Sequence, residues 1–228
     1  IEIFSTPFDL KSVNYLEKLN VKFYKIASVD LVNLPLLEKV AKTKKPVILS
    51  TGMCTLDEVA KSLNAIGALD DYPTILLVTT SEYPTPNESV NLLKFQTLAK
   101  NFPSIPLGFS DHTQGVLASS LACAMGASVF EKHFTLNHNM PGPDHWFSAD
   151  PNELIQWVKS IRTSYIMMGS EEVKPTKSEE VLKITARRSI FAISEIKEGD
   201  EFSMKNIGLR RPGNGLTPEY FEMVLGKK

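Results

Sequence analysis

The feature that most limits the fold of this chain is a regular alternation of short apolar runs and helix-like segments. Six runs rich in β-branched or aromatic residues recur, and their starts lie roughly 20–30 residues apart, which leaves room for one strand and one covering helix. The runs are Ile1–Thr6, Lys22–Ser28, Pro46–Thr51, Thr74–Thr80, Pro106–Ser110 and Ser128–Phe134. Because parallel neighbours need a crossover connection, this alternation predicts a parallel sheet covered by helices.

Helix signals between the runs support the same interpretation. Thr55 and Glu58 have the spacing of a capping box, and Asp150-Pro151-Asn152-Glu153 opens another helix with a cap and a proline. An open doubly wound sheet and a closed β/α barrel both fit the alternation. No glycine-rich nucleotide-binding signature follows any run, which favours the barrel. Six strand–helix units correspond to three quarters of an eight-unit barrel, which takes about 250 residues.

The character of the sequence changes after Gly169. We expect a barrel domain over residues 1–169, a charged linker over 170–186 that ends in a short helix, and a small β-rich domain over 187–228. The chain starts at Ile1 rather than Met, and its first residues already resemble a strand. We therefore expect the sequence to be an N-terminally truncated piece of a longer protein, with six of eight barrel strands.

Composition and charge exclude several classes of protein. Lysine and arginine total 25 and aspartate and glutamate total 26, so the net charge is −1 and no basic excess predicts nucleic acid or an anionic membrane as partner. The two cysteines, Cys54 and Cys123, form no disulfide framework and are typical of a reducing compartment. No apolar stretch reaches membrane length, and we predict a cytoplasmic protein.

Polar side chains collect where the predicted strands end, which in a β/α barrel is the active-site face. They occur in Ser5-Thr6, Ser28, Ser50-Thr51, Thr80-Ser81, Ser110-Asp111-His112 and Glu131-Lys132-His133. Lys25 lies inside a strand, and a lysine that points into a barrel needs an anion to neutralise it. Hydroxyls combined with lysine predict a phosphate or carboxylate site. Two alternatives stay open: hydroxyls are common where strands end in turns, and Lys25 can also sit outside, near the rim.

Two histidines end neighbouring predicted strands. Parallel strands would bring His112 and His133 to the same rim, where two imidazoles with oxygen ligands suit Mn²⁺, Fe²⁺, Co²⁺ or Zn²⁺. Glu131 shares the strand face of His133 by the period of two, and it is a candidate ligand, acid–base group or orienting partner. The alternative is two ordinary polar histidines. His138 and His145 lie in a loop and are weaker candidates.

Two irregular segments follow strands on the same predicted face. Residues 135–150 contain Asp144, whose carboxylate can bond sugar hydroxyls, and residues 81–86 present Tyr83 on a proline-rich loop. Long loops at this face often close over a substrate. A purely structural role for both loops stays open.

Eight ordered stretches of the sequence resemble the N-acetylneuraminate (sialic acid) synthase family. They are IFSTPFD, FYKIAS, PVILSTGM, SEYPTP, GFSDHT, EKHFTL, GPDHWFS and RRPGNG, and they extend over nearly the whole chain. The resemblance implies a TIM-type β/α barrel followed by a small antifreeze-like (SAF) domain, here in part. Members condense phosphoenolpyruvate with an N-acetylated aldose such as N-acetylmannosamine, release phosphate and form a nonulosonic acid.

The resemblance also implies roles for particular residues. It assigns a divalent metal, typically Mn²⁺ and otherwise Mg²⁺ or Co²⁺, to His112 and His133. With the metal there, Glu131 is placed to handle a proton or order the attacking water, which makes it the third catalytic candidate. The implied phosphoenolpyruvate residues are Thr6, Lys25, Ser28, Ser50 and Ser110. The implied acceptor residues are Tyr83 and Asp144, and Ser81 is a further substrate-binding candidate. In a domain-swapped homodimer, Arg211 of the SAF domain would reach the barrel of the partner.

Several alternatives accompany this reading of the sequence. A legionaminate-type synthase with a diacetamido acceptor fits the same stretches, as does another metal-dependent phosphoenolpyruvate aldolase or synthase on the same barrel. The family's first two strands, with the run E-I-G-x-N-H-N-G and the lysine of V-K-F-Q, are absent from the sequence. We therefore expect the 228-residue piece by itself to be inactive, and a binding paralogue is the non-enzyme alternative.

Overall fold

Five of the six apolar runs form the strands of one parallel sheet in the computed structural model, which describes residues 1–228. The strands are β1 (Tyr24–Ile26), β2 (Val47–Ser50), β3 (Thr74–Val78), β4 (Leu107–Asp111) and β5 (Val129–Lys132). They lie side by side in the order of the chain. A β/α barrel has that order, whereas a doubly wound sheet changes direction at a switch point.

The sheet is strongly curved, as a contact between side chains of its first and last strands shows. Lys25 Nζ on β1 lies 3.7 Å from Glu131 Oε1 on β5. In a flat sheet these strands would be about 19 Å apart, since each spacing is about 4.8 Å. The sheet is therefore a curled half-barrel of five strands, and its concave face carries both side chains.

Helices connect the strands and cover the convex face. They are α1 (Leu10–Lys18), α2 (Leu34–Ala41), α3 (Leu56–Ile66), α4 (Lys94–Asn101), α5 (Leu117–Ala124) and α6 (Pro151–Met168). The predicted capping box of Thr55 with Glu58 and the predicted helix start at Asp150 are confirmed, and Asp150 with Glu153 also makes the reciprocal bonds of a capping box. Helices α1 and α2, α2 and α3, and α5 and α6 pack against each other. No helix in the chain is both long enough and apolar enough to cross a membrane.

The prediction of a strand at Ile1–Thr6 is wrong. These residues have no ladder hydrogen bonds with β1, so the segment lacks the paired neighbour that defines a strand. Glu2 forms an ion pair with Lys22 at 3.0 Å, and the Phe4 and Phe23 rings lie 4.2 Å apart. The segment is thus attached through side chains while Ile1 and Ile3 stay exposed.

Contacts within the chain divide it into two compact units, Ile1–Gly169 and Ser170–Lys228. The second unit contains α7 (Lys177–Ala186), β6 (Ser189–Ala192), β7 (Ile207–Arg210) and α8 (Phe221–Val224). Strands β6 and β7 form a two-stranded antiparallel sheet. The segment expected to be a linker contains α7, and the assignment of the second unit to an SAF domain stays a prediction.

Candidate active site

A chain of polar contacts crosses the concave face of the half-barrel. The buried ammonium of Lys25 donates to Ser50 Oγ at 2.6 Å and to the carbonyl of Ile26 at 3.0 Å. On the opposite strands, Ser110 Oγ donates to Glu131 Oε1 at 2.7 Å. Because Lys25 Nζ is 3.7 Å from that same carboxylate oxygen, these residues of β1, β2, β4 and β5 lie together on the concave face. The space in front of this face is called the cavity.

Lys25 is a buried cation whose neutralisation is incomplete. Its side chain is 9% exposed, and its carboxylate neighbour Glu131 lies beyond hydrogen-bond distance and is 39% exposed. Burial lowers the pKa of Lys25, and the nearby Glu131 charge opposes this effect in part. Two of the three ammonium hydrogens have partners in Ser50 and Ile26. The third is available, so the residue suits a small anion in the cavity.

The hydrogen bonds of His112 determine which of its ring nitrogens is free. Nδ1 lies 2.8 Å from the carbonyl oxygen of Thr80, and because a carbonyl only accepts, Nδ1 carries the proton. Nε2 lies 3.3 Å from Ser110 Oγ, whose single hydrogen is already donated to Glu131. Burial lowers the pKa of His112, which favours the neutral ring. The Nε2 lone pair of this buried imidazole is therefore available to a ligand.

His133 lies beside His112 at the rim. Their ring centroids are 5.4 Å apart and the rings are nearly perpendicular, at 74°. Two neighbouring imidazoles, one with its lone pair free, are a donor set that suits a borderline transition metal such as Mn²⁺, Co²⁺ or Zn²⁺. Nδ1 of His133 faces the carboxylate of Asp144 at 3.9 Å. The residues present thus fit the expected metal pair.

Aromatic rings surround the two imidazoles. Tyr83 lies 4.2 Å from His112 and 5.5 Å from His133, measured between ring centroids. Phe147 lies 5.1 Å from His133 and 5.6 Å from Tyr83. Tyr83 is 46% exposed, so one part of its ring packs on the histidines while another part faces solvent. The two imidazoles are consequently held in place by packing against the Tyr83 and Phe147 rings as well as by hydrogen bonds.

Ser28 and Ser81 meet around Gly52, a residue that the sequence reasoning missed. The backbone N–H of Gly52 donates to Ser28 Oγ at 2.9 Å. A Cβ atom at position 52 would lie 2.3 Å from Ser81 Oγ and 2.8 Å from Ser28 Oγ. Only glycine lets the backbone approach both hydroxyls this closely. The signal in the sequence was a glycine immediately after the strand-end residues Ser50-Thr51.

Two predicted site residues are not joined to this group. Thr6 lies in the unpaired N-terminal segment, and no hydrogen bond links it to the other candidates. Arg211 follows β7 in the second unit and is exposed. Their assignment to substrate binding stays a prediction, as does the swapped homodimer that would use Arg211.

A second group lies on the outward face of the same strands, which corrects the expectation that Asp111 and Lys132 belong to the active-site face. The carboxylate of Asp111 accepts from Ser119 Oγ at 2.6 Å and from Trp157 Nε1 at 3.0 Å, and it lies 3.3 Å from Lys132 Nζ. The available signal was the strand period of two, which sets Asp111 and Lys132 on the face opposite to Ser110 and Glu131.

A third cluster lies beside the loop that follows β5. Ligand atoms of His138, Asp150 and Glu153 lie within 4.8 Å of one another. Both carboxylates already accept from backbone N–H groups in the capping box of α6. Nε2 of His138 is 3.3 Å from Glu153 Oε2. This cluster is explained by the attachment of the loop to the helix start.

Comparison with known proteins gives consistent results. The model of the NeuB family matches residues 1–173. An uncharacterized protein of Methanocaldococcus jannaschii is 49% identical over the whole chain, which covers 67% of that relative. The N,N'-diacetyllegionaminic acid synthase of Legionella pneumophila is 42% identical, and this chain covers 65% of its length. The chain thus spans about two thirds of the length of these curated relatives.

A solved structure also matches the fold. The N-acetylneuraminic acid (sialic acid) synthetase of Leptospira borgpetersenii, crystallised with citrate, superposes with a TM-score of 0.74 at 35% identity. The match covers 80% of this chain and 63% of that one.

Proposed function

The chain belongs to the NeuB family, and from this membership we propose that the protein is a nonulosonic acid synthase that joins phosphoenolpyruvate to an N-acetylated aldose. Carbon 3 of phosphoenolpyruvate forms a bond to the aldehyde carbon, water adds at carbon 2, and phosphate leaves to give the 2-keto acid. The observation that carries the proposal is one concave face with a buried lysine, two strand-end hydroxyls, a carboxylate and paired imidazoles. Two relatives that are named as synthases of legionaminic acid and sialic acid support the coarser part of the proposal, the synthesis of a nonulosonic acid.

Lys25 is proposed to bind an anionic group of phosphoenolpyruvate. It is the buried cation of the concave face, and one of its ammonium hydrogens lacks a close acceptor. Ser50 accepts from Lys25, so its own hydroxyl hydrogen is free to point at the same anion. Such charge-assisted bonds are stronger than neutral ones, particularly in a site shielded from water.

His112 and His133 are proposed to hold a divalent cation, for which Mn²⁺ is the first choice and Mg²⁺ and Co²⁺ are alternatives. When bound, the cation would act as a Lewis acid on the aldehyde oxygen of the acceptor. The bond from His112 to the carbonyl of Thr80 keeps Nδ1 protonated and leaves Nε2 as the ligand atom. The Tyr83 ring against His112 limits rotation of the imidazole.

Glu131 is proposed to hold or move a proton at the reacting carbons. Its Oε1 atom accepts from Ser110 Oγ at 2.7 Å, which fixes the direction of the carboxylate. The side chain is partly exposed toward the cavity, so its second oxygen can reach a substrate or a water. Tyr83 and Asp144 would contact the acceptor sugar at the rim, and Ser81 would be a further substrate-binding residue.

A legionaminate-type acceptor is the second candidate within this function. It is favoured by the 42% identity to the diacetyllegionaminic acid synthase over the full length of this chain. A 2,4-diacetamido sugar offers one more acetamido group than N-acetylmannosamine. The two acceptors differ in the groups that a rim containing Tyr83 and Asp144 would contact.

Phosphate release tests the proposal. The protein is expressed from its complete reading frame, purified and supplied with Mn²⁺ and phosphoenolpyruvate. It is then offered N-acetylmannosamine or the 2,4-diacetamido sugar, and the 2-keto acid is identified by mass spectrometry. We expect acceptor-dependent phosphate release that chelator stops and added Mn²⁺ restores. Absence of phosphate release with both acceptors, from folded protein that retains bound Mn²⁺, would contradict the proposed function.

A further inference from the structure

The ladder between β4 and β5 places two different pairs of residues side by side. Ser110 is paired with Glu131, and Asp111 with Lys132, in consecutive positions of the same register. Since strand side chains alternate between faces, the first pair points into the cavity and the second points toward the helices. His112 and His133 directly follow Asp111 and Lys132 in the sequence. Each residue of the outward pair, Asp111 and Lys132, is therefore bonded through the backbone to one of the two histidines.

The outward pair is buried and saturated with hydrogen bonds. The side chain of Asp111 is 0% exposed and that of Lys132 is 6% exposed. One carboxylate oxygen of Asp111 accepts from the backbone N–H of Thr113 at 2.8 Å and from its hydroxyl at 2.7 Å. The other accepts from Ser119 and Trp157. Lys132 Nζ also donates to the carbonyl of Thr113.

These bonds enclose the backbone of His112. The Asp111 carboxylate accepts from the backbone N–H of Thr113, so the residue before His112 is hydrogen-bonded to the residue after it. Lys132, which precedes His133 in the chain, donates to the backbone carbonyl of the same Thr113. The backbones of His112 and His133 are thus connected through the buried side chains of Asp111 and Lys132, which do not contact the imidazole rings.

We propose that Asp111 and Lys132 are a positioning pair that sets the spacing of His112 and His133 for the bound cation. The proposal rests on the proposed function, because it assumes that the two imidazoles share a divalent cation. Groups that orient metal ligands from behind change metal affinity by about 10–100-fold when they are removed. A pair that only stabilises the fold would change the melting temperature and leave metal affinity alone.

The experiment compares three proteins: the wild type, the double variant Asp111→Asn with Lys132→Met, and the control Ser62→Ala. The double variant removes both charges together and leaves neither one buried alone. Ser62 is fully buried on α3 and bonds the carbonyls of Leu31 and Glu58, so its loss affects stability in another region. Mn²⁺ affinity is measured by calorimetry and stability by thermal melting.

We expect the double variant to bind Mn²⁺ about 10–100-fold more weakly than the wild type. Ser62→Ala should lower the melting temperature and keep the wild-type Mn²⁺ affinity. A folded double variant that binds Mn²⁺ with wild-type affinity overturns the proposal. The proposal is also overturned if Ser62→Ala loses Mn²⁺ affinity in proportion to its loss of melting temperature, as the double variant does. If circular dichroism shows the double variant to be unfolded, the double variant Asp111→Asn with Lys132→Gln, which also removes both charges but keeps a polar group near the carbonyl of Thr113, replaces it under the same criteria.

A second measurement separates this proposal from the proposed function. Nitrogen NMR of the histidine side chains reports the His112 tautomer in metal-free protein. The wild type should show the Nδ1-protonated ring that donates to Thr80, and the double variant should show a mixture of tautomers. An unchanged tautomer overturns the positioning role in the metal-free protein. A wild type that binds no Mn²⁺ contradicts the metal role alone, and the tautomer then decides the positioning role.

Discussion

Ser110 and Glu131 on the inward face of β4 and β5 alternate with Asp111 and Lys132 on the outward face. The outward charges are fully enclosed, and each carboxylate oxygen of Asp111 has two donors besides the nearby ammonium of Lys132. The inward groups keep unused capacity, namely a hydrogen on Lys25, the Nε2 lone pair of His112 and a partly exposed Glu131. Incomplete pairing marks the face that takes a ligand, and complete pairing marks the face that holds the strands in place.

Removal of an inward imidazole should have the largest functional effect and little effect on folding. His112→Ala deletes the ring whose Nε2 lone pair is free, so we expect no detectable Mn²⁺ binding and no phosphate release. Calorimetry and a phosphate assay measure the two losses, and circular dichroism checks the fold. His138→Ala, which removes an imidazole of the α6 cluster, should keep both activities. Unchanged Mn²⁺ binding by His112→Ala would refute the ligand assignment.

Removal of one outward charge should have the largest effect on stability. Lys132→Met leaves the buried Asp111 carboxylate without its cation, and breaking a buried pair in this way costs about 3–5 kcal/mol of unfolding free energy. Urea unfolding measures the loss. Lys61→Met is the matched control, since Lys61 pairs with Asp57 at 2.6 Å on the exposed face of α3 and should cost no more than about 1 kcal/mol. Equal losses of unfolding free energy in the two variants would show that the buried ion pair stabilises the protein no more than the exposed one.

The inward residues were predictable from the sequence because they follow from strand periodicity and from the resemblance to a family. Lys25, Ser50 and Ser110 lie on the concave face as the barrel pattern implies. The bond between Asp111 and Trp157 was missed because it joins β4 to α6 over 46 positions, and periodicity carries no information on such a contact. The strand at Ile1–Thr6 was predicted wrongly, since apolar alternation records side-chain preference and not whether a neighbouring backbone pairs.

A methyl group at Gly52 should weaken ligand binding on the inward face while leaving the outward group intact. The new Cβ would overlap the hydroxyls of Ser28 and Ser81, and overpacking of this kind costs about 1–3 kcal/mol. We expect Gly52→Ala to bind phosphoenolpyruvate roughly tenfold more weakly, which corresponds to about 1.4 kcal/mol. Calorimetry with phosphoenolpyruvate measures the change. Wild-type affinity would show that the two hydroxyls do not contribute to that site.

Replacement of the outward donor Trp157 should have the smallest effect. Trp157→Phe removes an N–H that is shared between Asp111 Oδ2 and Ser119 Oγ, while Ser119 and Lys132 continue to serve the same carboxylate oxygen. Because Asp111 Oδ2 keeps donors and only Ser119 Oγ loses its donor, we expect a loss of about 0.5–1.5 kcal/mol in urea unfolding. Mn²⁺ affinity should stay at the wild-type value, since Thr113 keeps both of its bonds to Asp111. A loss as large as that of Lys132→Met would mean that the indole stabilises the buried carboxylate as much as the ammonium does.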